Sequence, residues 1–155
     1  MQRSLPALIA LVLLFSTVGW SADFQKGLEA YAKGDYRTAL REFRPLAERG
    51  HALAQYSLGF MYNNGEGVIQ DYQTAVKWYR LAAEQGYALA QNNLGVMYGI
   101  GRGVIQNYVY AHMWFNVAAS QGTEKAVEGR DLATKEMTPS QIERAQDLAR
   151  ECVEK

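Results

Sequence analysis

The stretch that decides the fold is ALAQYSLGFMYNNGEGVIQDYQTAVKWYRLAAEQGY, residues 52–87. Residues 88–123 repeat it without a gap as ALAQNNLGVMYGIGRGVIQNYVYAHMWFNVAASQGT. The copies agree at roughly 20 of 36 positions, and self-similarity at a fixed period of this length marks a stack of supersecondary units. Ala52-Leu53-Ala54-Gln55 returns as Ala88-Leu89-Ala90-Gln91, Leu58-Gly59 as Leu94-Gly95, and Met61-Tyr62 as Met97-Tyr98. Gly65-x-Gly67-Val68-Ile69-Gln70 returns as Gly101-x-Gly103-Val104-Ile105-Gln106. Tyr72, Ala75, Trp78, Ala82-Ala83 and Gln85-Gly86 return as Tyr108, Ala111, Trp114, Ala118-Ala119 and Gln121-Gly122.

Each unit reads as two helices. The spacing of Ala54, Leu58, Met61 and Tyr62 predicts a first helix over Ala52–Tyr62 with these residues on one face. A loop follows, and its paired glycines, Gly65 and Gly67, suggest backbone angles that a β-carbon forbids. Asp71 and Asn107 can cap the second helix, because a short side-chain oxygen accepts from the free amides of a first turn. Ala75, Trp78, Tyr79, Ala82 and Ala83 form its apolar face, and Gly86 and Gly122 end it as left-handed caps. An earlier copy is weaker. Asp35-Tyr36, Ala39, Phe43, Ala47 and Gly50 precede their counterparts by 36 residues, but upstream of Asp35 the offset falls to 31, pairing Tyr31 with Tyr62 and shortening the loop by five residues. An atypical end unit is usual in solenoids. The expected fold is all-α: a short right-handed α/α superhelical solenoid of helix-pair repeats with a C-terminal capping helix.

This pattern resembles the Sel-one-like repeat family, relatives of the tetratricopeptide repeat with a longer inter-helix loop. The residues that carry the resemblance are Ala54, Leu58, Gly59, Tyr62, Gly65, Gly67, Val68, Asp71, Tyr72, Ala75, Trp78, Tyr79, Ala82, Ala83 and Gly86, and their counterparts from Ala90 to Gly122, with Asn107 and Phe115 as mild departures. The resemblance covers about residues 24–123. It implies a superhelix of stacked helix pairs that acts as a protein–protein adaptor, in bacteria often periplasmic or secreted. The secreted branch that staples each pair with a disulfide does not fit, since Cys152 is the single cysteine.

Residues 1–22 have another character. Arg3 supplies a positive start, Leu5 to Phe15 is apolar, and small residues end at Ser21-Ala22. This is the layout of a Sec-type signal peptide, with an apolar run too short to span a bilayer comfortably. The expected organisation is therefore a signal peptide at 1–22, an atypical repeat at 23–51, repeats at 52–87 and 88–123, and a helical cap at 124–155. The expected location is the bacterial periplasm or outside the cell, with no stable membrane span after cleavage. The whole chain balances 16 basic against 16 acidic side chains, so no basic surface points to nucleic acid. In an oxidising compartment Cys152 reads as a small buried or half-buried apolar residue, with an intermolecular disulfide as the alternative.

After Gly122 the repeat decays: Arg130 and Asp131 stand where Leu94 and Gly95 stood. Residues 124–136 still read as a helix. Thr138-Pro139-Ser140-Gln141 then forms a capping box with proline at the first helical position. Ile142, Ala145, Leu148, Ala149 and Cys152 make one stripe that would cover the open end of the stack.

No catalytic residue, metal site or cofactor is expected. His51 and His112 are the only histidines and neither lies at metal-ligand spacing, and no nucleophile or nucleotide motif occurs. Trp78 and Trp114 hold one slot in both repeats and read as core. Glu66 and Arg102, between the paired glycines, read as solvated. Stepping 100° per residue from Leu58 turns Tyr56, Ser57 and Phe60 away from the core, with Asn92, Asn93 and Val96 as their counterparts. The resemblance implies that first helices line a concave surface. Tyr56, Ser57, Phe60, Asn92, Asn93 and Val96 are thus the candidate groove residues. Aromatic rings there supply contact area and amides can bond a peptide backbone. The expected activity is non-enzymatic: an adaptor of the cell envelope that binds a protein or peptide. A cell-wall-associated structural protein and a cell-wall hydrolase are the alternatives. The short stack leaves a homodimer open.

Overall fold

The structure, a computed structural model, describes residues 23–154; the expected signal peptide lies outside them. Among the described residues the chain is all helix and turn. A helical segment over 23–32 (α1) is followed by α2 (Tyr36–Glu48), α3 (Ala52–Asn64), α4 (Tyr72–Glu84), α5 (Ala88–Ile100), α6 (Tyr108–Ser120), α7 (Glu124–Lys135) and α8 (Pro139–Val153). Helices α1/α2, α3/α4 and α5/α6 form three antiparallel pairs stacked in chain order, a helical-repeat solenoid.

Local chemistry sets the ends of the helices. The Asp71 carboxylate accepts from the amides of Gln73 at 3.0 Å and Thr74 at 3.2 Å, and Asn107 repeats this with Val109 and Tyr110. The first helices run two residues beyond the expected Tyr62, to Asn64. What stops them is not the last apolar residue but a left-handed glycine: Gly65 at φ 72° and Gly101 at φ 67°. The second glycine of each loop has a different task. A β-carbon on Gly67 would lie 2.7 Å from Cβ of Tyr36, and one on Gly103 would run into the backbone of Tyr72. The loop can therefore lie flat against the first turn of the preceding unit's second helix.

Within each pair, a ring from the second helix rests on a glycine of the first. A β-carbon on Gly27 would come 2.5 Å from the Phe43 ring, one on Gly59 2.6 Å from Tyr79, and one on Gly95 2.6 Å from Phe115. These seats correct the register of the first unit. Gly27 precedes Gly59 by 32 residues, so the first loop is four residues shorter, not five. The rings agree: Phe24 lies 5.3 Å from Phe43 and 4.9 Å from His51, as Tyr56 lies 5.8 Å from Tyr79 and 5.0 Å from Tyr87. Tyr31 is thus the counterpart of Asn63.

Between pairs, a buried glutamine ladder joins three helices at a time. Gln55 Nε2 donates to the Ala47 carbonyl at 3.1 Å, and Gln55 Oε1 accepts from Gln85 Nε2 at 2.7 Å. One unit on, Gln91 donates to Ala83 at 3.0 Å and accepts from Gln121 at 2.7 Å. Gln55 and Gln91 are 4% and 2% exposed. Buried amides are retained where every donor and acceptor is used.

The C-terminal helix departs from its expected place. Its capping box forms as read, with Thr138 and Gln141 bonding each other's backbone amides. But α7 covers the end of the stack, and α8 turns back across α6. Only three residues separate α7 from α8, against seven between α3 and α4, so α8 does not complete a fourth pair. Ala145 and Ala149 are buried, and Leu148 and Cys152 pack beside Trp114 and Val117. Trp114 is buried in this way, whereas Trp78, in the same slot one unit earlier, is half-buried.

Two neighbouring glycines test the ring seat. Gly95→Ala should lower stability by about 1–3 kcal/mol, since the added methyl must displace Phe115. Gly99→Ala, whose β-carbon meets only Ala111 at 3.8 Å, should raise it by about 0.5–1 kcal/mol through helix propensity. Urea midpoints of the two variants measure both. In the same assay Gln91→Leu should lower stability by about 1–3 kcal/mol, because it strands the Ala83 carbonyl and the Gln121 amide.

Candidate binding face

Successive first helices do not close against each other completely. Three hollows open between them, at α1/α3, α3/α5 and α5/α7, with volumes of about 260, 170 and 380 Å³. Each has as its floor the ring seated on the glycine: Phe43, Tyr79 and Phe115 in turn. An apolar ladder runs along the walls. Leu28, Phe60, Val96 and Leu132 take the same slot on α1, α3, α5 and α7, at steps of 32, 36 and 36 residues. Leu28, Val96 and Leu132 are 39%, 42% and 63% exposed, and a row of large exposed apolar side chains suits a contact surface better than an isolated one does. Although α7 has Arg130 and Asp131 where the repeat has Leu94 and Gly95, it keeps this slot.

Five of the six candidate groove residues line these hollows. Tyr56, Ser57 and Phe60 line the first, Phe60, Asn93 and Val96 the second, and Val96 the third. Asn92 does not line them: it takes the slot of Phe24 and Tyr56 on the inner side, half-buried, with its Oδ1 sealed from water and unbonded. Tyr56 is likewise partly sunk among Phe60, Tyr79 and Tyr87, and burial raises its hydroxyl's pKa. The angular count from Leu58 located the outward side correctly but could not see how far the next unit leans over it.

Other residues of this face were assigned elsewhere by sequence. Glu66 and Arg102 are not simply solvated. Glu66 accepts from the Tyr31 hydroxyl at 2.6 Å, while the Arg102 guanidinium lies 4.8 Å from the centre of the Tyr72 ring and borders the second hollow. Tyr79 was read as core, and its ring is core at 1% exposure. Its hydroxyl, however, is sealed from water beside the Asn93 side chain, in a residue that lines the second hollow, and no hydrogen bond of normal geometry reaches it. Burial pushes its pKa upward, opposed by the neighbouring Asn93 amide, so it is present as an O–H donor. Repeat comparison held a hint, since the matching positions are Phe43 and Phe115 and only this unit carries a hydroxyl.

Among the described residues no group of three or more His, Cys, Asp or Glu side chains is placed to hold a metal ion. No described helix is long and apolar enough to cross a membrane. His112 is a buried layer residue in the slot of Val76, with Nδ1 unbonded; burial lowers its pKa and holds it neutral.

The stacked helix pairs define an all-α helical-repeat protein. Residues 52–87 and 88–123 match the Sel1 repeat, and the chain is a member of the Sel1-repeat family. It is similar, at 34% identity and a TM-score of 0.83, to a protective antigen present in uropathogenic Escherichia coli strains that displays an SLR fold; the match covers 88% of this chain and 30% of that one. It is also similar, at 31% identity and a TM-score of 0.69, to a Sel1 repeat protein from Oxalobacter formigenes, over 83% of this chain and 55% of that one. The chain thus spans about a third to a half of the length of these relatives. No curated protein matches it. Sel1-repeat proteins are in general protein–protein interaction modules on a non-catalytic scaffold.

The unbonded hydroxyl has a measurable consequence. A buried polar group without a partner destabilises a protein, so Tyr79→Phe should leave stability unchanged or raise it by about 1 kcal/mol in thermal or urea unfolding. A loss of similar size would mean that the hydroxyl is bonded in the free protein.

Proposed function

We propose that this protein is a non-enzymatic adaptor of the bacterial cell envelope, periplasmic or secreted, that holds a protein or peptide partner on the face of its first helices. The observation that carries the reading is the ladder Leu28, Phe60, Val96 and Leu132 beside three hollows with aromatic floors. An isolated exposed leucine means little, but one apolar side chain per unit at a fixed pitch suits an extended partner lying along the stack. The exported location rests on the character of residues 1–22. The hydrolase alternative would need ionisable side chains converging in a cleft, and none of the three hollows is lined by more than one acidic side chain.

The test is capture from an envelope extract by the purified chain, compared with a Val96→Arg/Leu132→Arg double variant. These side chains are exposed, so helical circular dichroism should be unchanged while captured partner falls at least tenfold. Equal capture by a folded double variant would sink the proposal. Co-sedimentation with purified cell wall, unaffected by the same changes, would favour the structural-protein alternative.

A further inference from the structure

The three hollows share one construction but not one chemistry. The first and third have hydrocarbon floors, Phe43 and Phe115. The middle one has the Tyr79 hydroxyl, buried, held protonated and unbonded. At the wall position where the first has Ser57 and the third has Gly129, the middle one has the Asn93 amide. At its rim is Arg102, which takes the loop position of Glu66 and has no acidic partner among the described residues. The acidic group that acts on Tyr79 from the preceding loop, Glu66, is already engaged by the Tyr31 hydroxyl. An O–H and a guanidinium, with an amide that can donate, surround one small hollow that no carboxylate of the described residues lines.

We propose that the middle hollow is a subsite for a carboxylate side chain, an aspartate or glutamate of the bound partner, flanked on both sides by apolar side chains. The proposal rests on the adaptor reading above and specifies its ligand. The flanking hollows decide which kind of carboxylate fits. Apolar sites on both sides require the chain to continue in both directions, so the group is an internal acidic side chain rather than a C-terminus. A hollow of about 170 Å³ holds roughly five or six waters' worth of space, enough for a carboxylate and its methylenes. Successive first helices stand at least one helix diameter, about 10 Å, apart, and an extended chain advances about 3.3 Å per residue. The expected motif is therefore apolar-x-x-acidic-x-x-apolar.

The experiment uses fluorescein-labelled peptides Gly-Leu-Ser-Ser-Glu-Ser-Ser-Leu-Gly and the same peptide with a central Gln or Lys, titrated with the purified chain by fluorescence anisotropy. A carboxylate gaining charge-assisted bonds should bind at least tenfold tighter than the glutamine peptide, and the lysine peptide should bind weakest. Arg102→Glu should reverse the order of Glu and Lys. Tyr79→Phe, folded and no less stable, should reduce the Glu-over-Gln preference at least threefold. Binding of all three peptides with equal affinity, lost in the Val96→Arg/Leu132→Arg variant, would overturn the carboxylate subsite and leave the adaptor face standing. Binding indifferent to that variant, or no binding of any peptide, would overturn both. A preference for the glutamate peptide that survives Tyr79→Phe and Arg102→Glu unchanged would also overturn the assignment.

Discussion

The rest of the structure depends on an aromatic ring resting where a β-carbon is missing. Phe43, Tyr79 and Phe115 each lie on a glycine of the first helix in their own unit, Gly27, Gly59 and Gly95. Any larger residue there would push the two helices apart. The same rings then serve a second purpose, because their far edges floor the hollows between successive first helices. The element that closes the pair therefore also shapes the face proposed to meet a partner. A change to the ring cannot be assigned to folding or to binding alone, which is why the hydroxyl of Tyr79, which lies away from Gly59, separates the two.

Stacking rests on other contacts. The glutamine ladder through Gln55 and Gln91 uses both ends of each amide, so it fixes the distance and rotation between units as well as adding hydrogen bonds. The second glycine of each loop lets that loop lie on the preceding helix, and Arg102 over Tyr72 adds a cation–π contact at the same seam. These are nearest-neighbour interactions, as expected for a quasi-one-dimensional protein whose stability is roughly the sum of unit and interface terms. With three pairs among the described residues, the two ends matter. Helix α7 closes one end of the stack, and α8 covers Trp114 from the side.

Much of this was legible in the sequence, and the limits have physical causes. The helix pairs, the caps at Asp71 and Asn107 and the left-handed glycines follow from local rules and from the 36-residue identity. The first unit's register was misread by one residue, because matching tyrosines were weighted over the glycine that a ring requires. The place of α8 was not legible: an amphipathic stripe says that a face is covered, not by what. On the first-helix face, the helical wheel points Phe60, Asn93 and Val96 towards the hollows, whereas Asn92 and Tyr56 turn inward to an extent set by the neighbouring unit. The unbonded Tyr79 hydroxyl is a property of the space between units, which periodicity within one unit does not encode.

Other surfaces are conspicuous, and one competes with this account. Ile69 and Ile105, at equal places in the two loops, are each 91% exposed on the loop edge. Site-specific photo-crosslinking in the producing cells separates the two surfaces most directly, with the reactive residue placed at positions 28, 60, 96 and 132 on one side and at 69 and 105 on the other. The account predicts one common adduct from the first-helix positions and none of it from the loop edge. The same adduct arising from positions 69 and 105, with positions 60 and 96 silent, would contradict it.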